Sequence, residues 1–289
     1  EARANCFRQM ESRKSKKISG DEMPFEKVGD ISIYYEIGGS GPRLVHISGT
    51  GGDLRRKPSV FDSPLAEHFE ILAFDQRGLG QTDKPDSPYT MADYAADVDG
   101  LMDALGWEDC PIMGVSFGGM VGPELALGYS NRVKSLILCC TSSGGAGGPS
   151  YPLHELEGLS PDERRRKMVP ITDTRRDQAW QDANPAELDE ILKAGEAQSA
   201  IGEGEHNKEI GAHRQIAARK GHDVYDRLPS IKVPVLLCAG KYDGIAPPDN
   251  QKPLESQLPN ATLNYFEGGH GFLAQDPKAY ERIIEFLKA

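Results

Sequence analysis

A serine set between glycines, where an apolar strand gives way to a helical pattern, limits this chain more than any other feature: Ile112-Met113-Gly114-Val115-Ser116-Phe117-Gly118-Gly119-Met120. The run Pro111 to Val115 reads as a buried strand, and a helix is expected from Met120 to Tyr129. A turn this tight brings backbones into van der Waals contact, so glycine at 114 and 118 removes a Cβ that would meet the neighbouring strand or helix. The turn lifts the Ser116 hydroxyl clear of the sheet. It also leaves the first helical N–H groups unpaired, with the Phe117 N–H placed to bind an oxyanion. Gly-x-Ser-x-Gly also arises by chance in a chain with 32 glycines, where it marks only a Gly-rich turn. Three further stretches decide between these readings.

The first is Arg43-Leu44-Val45-His46-Ile47, an apolar strand that empties into Ser48-Gly49-Thr50-Gly51-Gly52. A glycine-rich loop after a central strand can turn its N–H groups inward, and Thr50 N–H is the expected second oxyanion donor. The second is Val233 to Gly240, a strand that delivers Asp243 to the rim where open α/β sheets bind ligands. The third is the strand Ala261 to Phe266, which ends at Glu267-Gly268-Gly269-His270.

Around these lie a hairpin (25–28 and 31–37), a strand Glu70 to Phe74 and a helix capped by Thr90 with Asp93 at its third position. The run after Phe74, Asp75-Gln76-Arg77-Gly78-Leu79-Gly80, holds no nucleophile. Asp75 and Arg77 are expected to pair with backbone and with each other, bracing the loops. Pro123 falls inside the nucleophile helix, where its ring is expected to bend the axis. Residues 142–229 change to charged, helix-forming sequence without a strand pattern. Ser160-Pro161-Asp162-Glu163, Asn184-Pro185 and Asn207 mark helix starts there. Tyr151, Met168, Trp180, Ile191 and Ile201 are read as its core or as a pocket lining. The expected organisation is a disordered polar tail (1–24), a first core part (25–141), a helical cap (142–229) and a second core part (230–289).

With 33 basic and 44 acidic residues the net charge is −11, which argues against nucleic acid or an anionic membrane as partner. No apolar run approaches the roughly 18 residues of a membrane span, so no integral membrane association is expected. The tail carries Arg13, Lys14, Lys16 and Lys17 without the apolar segment of a signal peptide. The five cysteines, Cys6, Cys110, Cys139, Cys140 and Cys238, read as buried thiols of a reducing compartment, and a cytoplasmic location is expected. No Cys/His spacing suggests a metal. His46 reads as a satisfied core residue; His68, His154, His206, His213 and His222 lie in polar surroundings.

With these motifs placed, the chain resembles the α/β-hydrolase superfamily over residues 25–141 and 230–289. The resemblance implies a mostly parallel eight-stranded sheet flanked by helices, with an inserted helical cap. That family's order of nucleophile, acid and base falls here on Ser116, Asp243 and His270. Within it, the run around Gly118-Gly119-Met120 resembles small carboxylesterases and enol-lactone hydrolases. Where relatives often carry His-Gly at the oxyanion loop, this chain has Ser48-Gly49. The implied activity is hydrolysis of an ester, lactone or thioester of a small acyl compound, without a cofactor. Two alternatives stay open: carbon–carbon cleavage or lyase chemistry by the same triad, and a non-catalytic receptor or scaffold on the same fold.

Overall fold

The computed structural model describes residues 24–289. All of the expected N-terminal tail except Pro24, with its basic cluster and Cys6, lies outside the described residues.

Apolar alternation builds the antiparallel hairpin of β1 (Phe25–Val28) and β2 (Ile31–Gly39), in which Ile31 and Ile33 point inward and are buried. β3 (Arg43–Ile47) and β4 (Glu70–Phe74) follow as near-continuous apolar runs, the pattern of strands covered on both faces. After helix α1 (Met91–Ala104) come β5 (Cys110–Val115), α2 (Phe117–Gly128) and β6 (Val133–Cys139). Four helices, α3 (Pro161–Thr172), α4 (Gln178–Ala183), α5 (Pro185–Ala200) and α6 (Lys208–Lys220), separate β6 from β7 (Val235–Gly240). The chain ends with α7 (Gln251–Gln257), β8 (Ala261–Phe266), the short α8 (Phe272–Gln275) and α9 (Lys278–Lys288).

The strands form one eight-stranded sheet in the order β1-β2-β4-β3-β5-β6-β7-β8. β2 runs antiparallel to both neighbours, and every pairing from β4 to β8 is parallel. Parallel strands need crossovers that cover both faces, and two apolar cores result. On one face Tyr94, Val98, Leu101 and Met102 of α1 pack with Phe117, Val121 and Leu125 of α2. On the other, Leu65 and Phe69 meet Phe272, Ala279 and Ile283. The Val, Leu, Ile, Phe and Met side chains among these each contribute roughly 1.5–3 kcal/mol by leaving water. The Thr90 cap is present: its Oγ1 accepts from Asp93 N, and the Asp93 carboxylate accepts from Thr90 N at 2.7 Å.

Several local expectations are corrected. Arg77 does not pair with Asp75. Its guanidinium donates to both Asp97 carboxylate oxygens at 2.6 and 2.7 Å, because the buried face of α1 brings that carboxylate underneath. Asp75 instead accepts from Leu54 N and Gln81 N, and burial pushes its pKa up to about 6. His46 is not satisfied; its Nδ1 has no partner among the described residues, and burial lowers its pKa to about 4. In the segment between β6 and β7, Tyr151, Met168, Trp180, Ile191 and Ile201 are each only half-buried, while Leu156, Val169 and Ala218 are buried. Pro123 is accommodated within an uninterrupted α2. Cys110, Cys139, Cys140 and Cys238 are buried free thiols.

His222 is buried, not polar-surrounded as its sequence context implies. Its Nε2 meets Ser142 O at 3.1 Å, and its Nδ1 has no partner among the described residues. Burial lowers its pKa from 6.5 to about 4. A proton binds the unfolded chain first as the pH falls, so the neutral ring's contribution is complete above about pH 6.5 and is lost progressively towards pH 4. That loss is about 3 kcal/mol. Urea titrations at pH 7 and pH 4.5 check it: the loss of stability between the two should be smaller by about 2 kcal/mol in His222→Gln than in the wild type. An identical loss in both proteins would remove His222 from the account.

Candidate active site

Ser116 sits between β5 and α2 with φ +54° and ψ −110°, a backbone conformation that non-glycine residues rarely adopt. Surrounding bonds hold it there. Ser116 N donates to Cys139 O at 2.8 Å, and Thr141 Oγ1 donates to Ser116 O at 2.9 Å. The flanking glycines are required sterically: a Cβ at Gly114 would stand 2.2 Å from Gly118 O, and one at Gly118 would stand 2.1 Å from Ile47 O. Strand and helix therefore touch through bare backbone, and the hydroxyl is left at the carboxyl edge of the sheet.

Two other strand ends meet it there. His270, in the loop after β8, places Nε2 2.9 Å from Ser116 Oγ and Nδ1 2.8 Å from Asp243 Oδ2. Asp243, in the loop after β7, is 2 % exposed, and its Oδ1 accepts from Ile245 N and Ala246 N at 2.8 and 2.9 Å. An ionised carboxylate can only accept, so this network assigns the His270 proton to Nδ1 and leaves the Nε2 lone pair facing the hydroxyl. Three residues separated by 127 and 27 positions thus form one hydrogen-bonded line from carboxylate to hydroxyl.

The loop after β3 completes the floor. A Cβ on Gly49 would lie 3.4 Å from Ser116 Cβ, so the loop passes against the serine. Gly51 N is already engaged, donating to Gln215 Oε1 at 2.8 Å. Among the described residues, neither Thr50 N–H nor Phe117 N–H donates to a protein acceptor. Gln76 Nε2 donates to Ser48 O at 2.8 Å and Ser48 Oγ at 3.1 Å, anchoring the loop.

Sequence reading missed several supporting residues. Gln76 lies in a loop and Gln215 within α6, and neither carries a motif that marks its contact. The end of α3 braces the loops of Asp243 and His270 together: His270 N donates to Thr172 O, and Gly244 N to Ile171 O. Cys140, with φ +43°, brings its sulfur within 4.8 Å of an Asp243 oxygen and a His270 ring nitrogen. Burial and the nearby Asp243 carboxylate raise that thiol's pKa well above its ordinary value, so it stays neutral beside the pair. A cavity of about 650 Å³ lies apart from this site, lined by Arg165, Glu196 and Glu203.

A family model described as the alpha/beta hydrolase fold matches residues 42–277, most of the chain. The chain belongs to the α/β-hydrolase fold family. It is 27% identical over 272 residues to a putative carbamate hydrolase RutD of Azorhizobium caulinodans, covering 91% of this chain and 97% of that one. It is 28% identical over 229 residues to a poly(3-hydroxyalkanoate) depolymerase of Ectopseudomonas oleovorans, covering 79% and 78%. In three dimensions it is similar to the enol-lactonase of Burkholderia xenovorans LB400, with a TM-score of 0.74 at 24% identity over 92% of this chain and all of that one. The last likeness speaks for the α/β-hydrolase fold alone; the family and the sequence relatives together support hydrolysis as the activity. Among the described residues, no helix is long and apolar enough to cross a membrane.

Proposed function

We propose that this chain is a serine hydrolase that cleaves an ester, lactone or thioester through an acyl-enzyme on Ser116. The observation that carries this reading is the continuous line from Asp243 through His270 to Ser116 Oγ, with both bonds under 3 Å. A serine hydroxyl is a poor nucleophile at neutral pH. It needs a base within reach and a group that fixes the tautomer of that base. His270 Nε2 takes the hydroxyl proton as Oγ attacks the carbonyl carbon, and Asp243 stabilises the imidazolium. The carbonyl electron pair moves onto oxygen, where the Thr50 and Phe117 N–H groups hold it; each is worth on the order of 3 kcal/mol in the transition state. Collapse breaks the bond to the alcohol or thiol, which leaves with the proton from His270. Water then attacks the acyl-enzyme with His270 again as base, releasing the acid and restoring Ser116.

Helices α3 to α6 serve in this reading as the cap (142–229) over a core of 25–141 and 230–289. A small-molecule acyl substrate would enter between cap and core. A second reading, hydrolysis of a carbamate by the same attack on a carbonyl carbon, is favoured by the similarity to the RutD protein over nine-tenths of both chains. A panel of small esters, lactones, thioesters and carbamates, with products identified by mass spectrometry, separates these. The expected result is turnover of at least one carboxylic ester or lactone to acid and alcohol. Turnover confined to carbamates would establish the second reading, and turnover of none of the four classes would contradict both.

A further inference from the structure

Three polar groups around Gly51 lack partners in a way the catalytic steps do not use. Gln215, on α6, is fully buried; its Oε1 accepts from Gly51 N, but its Nε2 has no partner among the described residues. Thr50 Oγ1, on the adjacent residue, is likewise buried and unpartnered. Arg56 brings a guanidinium nitrogen to 3.9 Å from the point where a Gly51 Cβ would stand, and its Nε is buried without a partner. The acids nearest to Arg56 are committed elsewhere. Both Asp53 oxygens accept from Arg55, and both Asp75 oxygens accept from backbone N–H groups. Burial accordingly lowers the Arg56 pKa.

All three unpartnered groups can donate a hydrogen bond, and one is cationic. A buried donor without an acceptor costs about 1–3 kcal/mol, and a desolvated guanidinium without a carboxylate costs more. The complement of such a set is an anionic, planar acceptor. We propose that Arg56, Gln215 and Thr50 Oγ form a subsite for a carboxylate carried by the substrate, next to the oxyanion loop and closed by α6. The inference rests on the reading of Ser116 as the reactive centre, since it is the neighbouring Gly49–Gly52 loop that turns a carboxylate site into a substrate site. It narrows the substrate class to half-esters or to lactones that bear a free acid.

Glutarate, a dicarboxylate with no bond to cleave, is the probe, with neutral glutaramide as control and isothermal calorimetry as the readout. The wild type and Ser116→Ala are expected to bind glutarate at least tenfold more tightly than glutaramide. Arg56→Gln should lose at least tenfold in glutarate affinity, and Arg56→Lys should recover part of it. Gln215→Glu keeps the acceptor for Gly51 N while replacing the free donor by a negative charge, and should lose at least as much. Unfolding temperatures measured alongside establish that each variant is folded. Equal affinity for glutarate and glutaramide, or wild-type glutarate affinity in Arg56→Gln and Gln215→Glu, would overturn the subsite. Covalent labelling of Ser116 by a fluorophosphonate tests the underlying reading separately. Labelling without glutarate binding overturns the subsite alone, and glutarate binding without labelling overturns only the nucleophile.

Discussion

Ser116→Ala is expected to lower kcat/KM on any substrate the protein hydrolyses by on the order of 10⁴-fold or more, with the unfolding temperature little changed. The side chain is small, and the bonds that hold the turn, Ser116 N to Cys139 O and Thr141 Oγ1 to Ser116 O, involve its backbone and survive the substitution. What disappears is the oxygen proposed to form the acyl bond. His270→Ala should fall to a similar level, because the hydroxyl is useless without a base 2.9 Å away. The double variant should be no worse than the poorer single one. Residues that act as one device show this non-additivity, whereas two independent contributions would multiply. Steady-state kinetics of the four proteins on one substrate decides the matter, and multiplying losses would mean that the pair does not act as a unit.

Gly118→Ala should be a severely destabilising single methyl. The added Cβ would stand 2.1 Å from Ile47 O, 2.7 Å from Ile47 C and 2.8 Å from Ser48 O. All three are backbone atoms, so no side chain can rotate away. Relief requires moving α2 off β3, which opens the core around Phe117 and Val121 and shifts the loop after β3 with it. Overpacking normally costs about 1–3 kcal/mol; a collision with backbone on this scale should cost about 4 kcal/mol or more. Urea unfolding of the soluble variant measures it. Gly128→Ala, where nothing lies within 4 Å of the new Cβ, provides the control and should be neutral or slightly stabilising. Equal stability of the two variants would refute the steric reading of the turn.

The same contrast explains what the sequence disclosed and what it withheld. β5, the turn and its glycines were legible because the constraint is local: a strand, a serine and a helix within nine residues admit few backbones. Asp243 and His270 could be placed since each follows directly on an apolar strand, and parallel strands deliver their ends to one edge. α2 starts at Phe117, three residues before the expected Met120. Gly118 and Gly119 are poor helix formers, and burial of Phe117 overrides that weakness. Partners distant in sequence were invisible for a different reason. Gln215 reaches Gly51 across 164 positions and Gln76 reaches Ser48 across 28, and neither contact leaves a periodic trace. The acid nearest to Arg77 in sequence is Asp75, but its partner in three dimensions is Asp97 on α1.

The central claim is that Ser116 is a nucleophile made reactive by His270. Intact-protein and peptide mass spectrometry after brief treatment with a fluorophosphonate tests it most directly. One adduct per chain, located on Ser116, absent from Ser116→Ala and formed far more slowly in His270→Ala, is the expected outcome. An unmodified Ser116 in the folded wild type, or labelling at the same rate without His270, would contradict it.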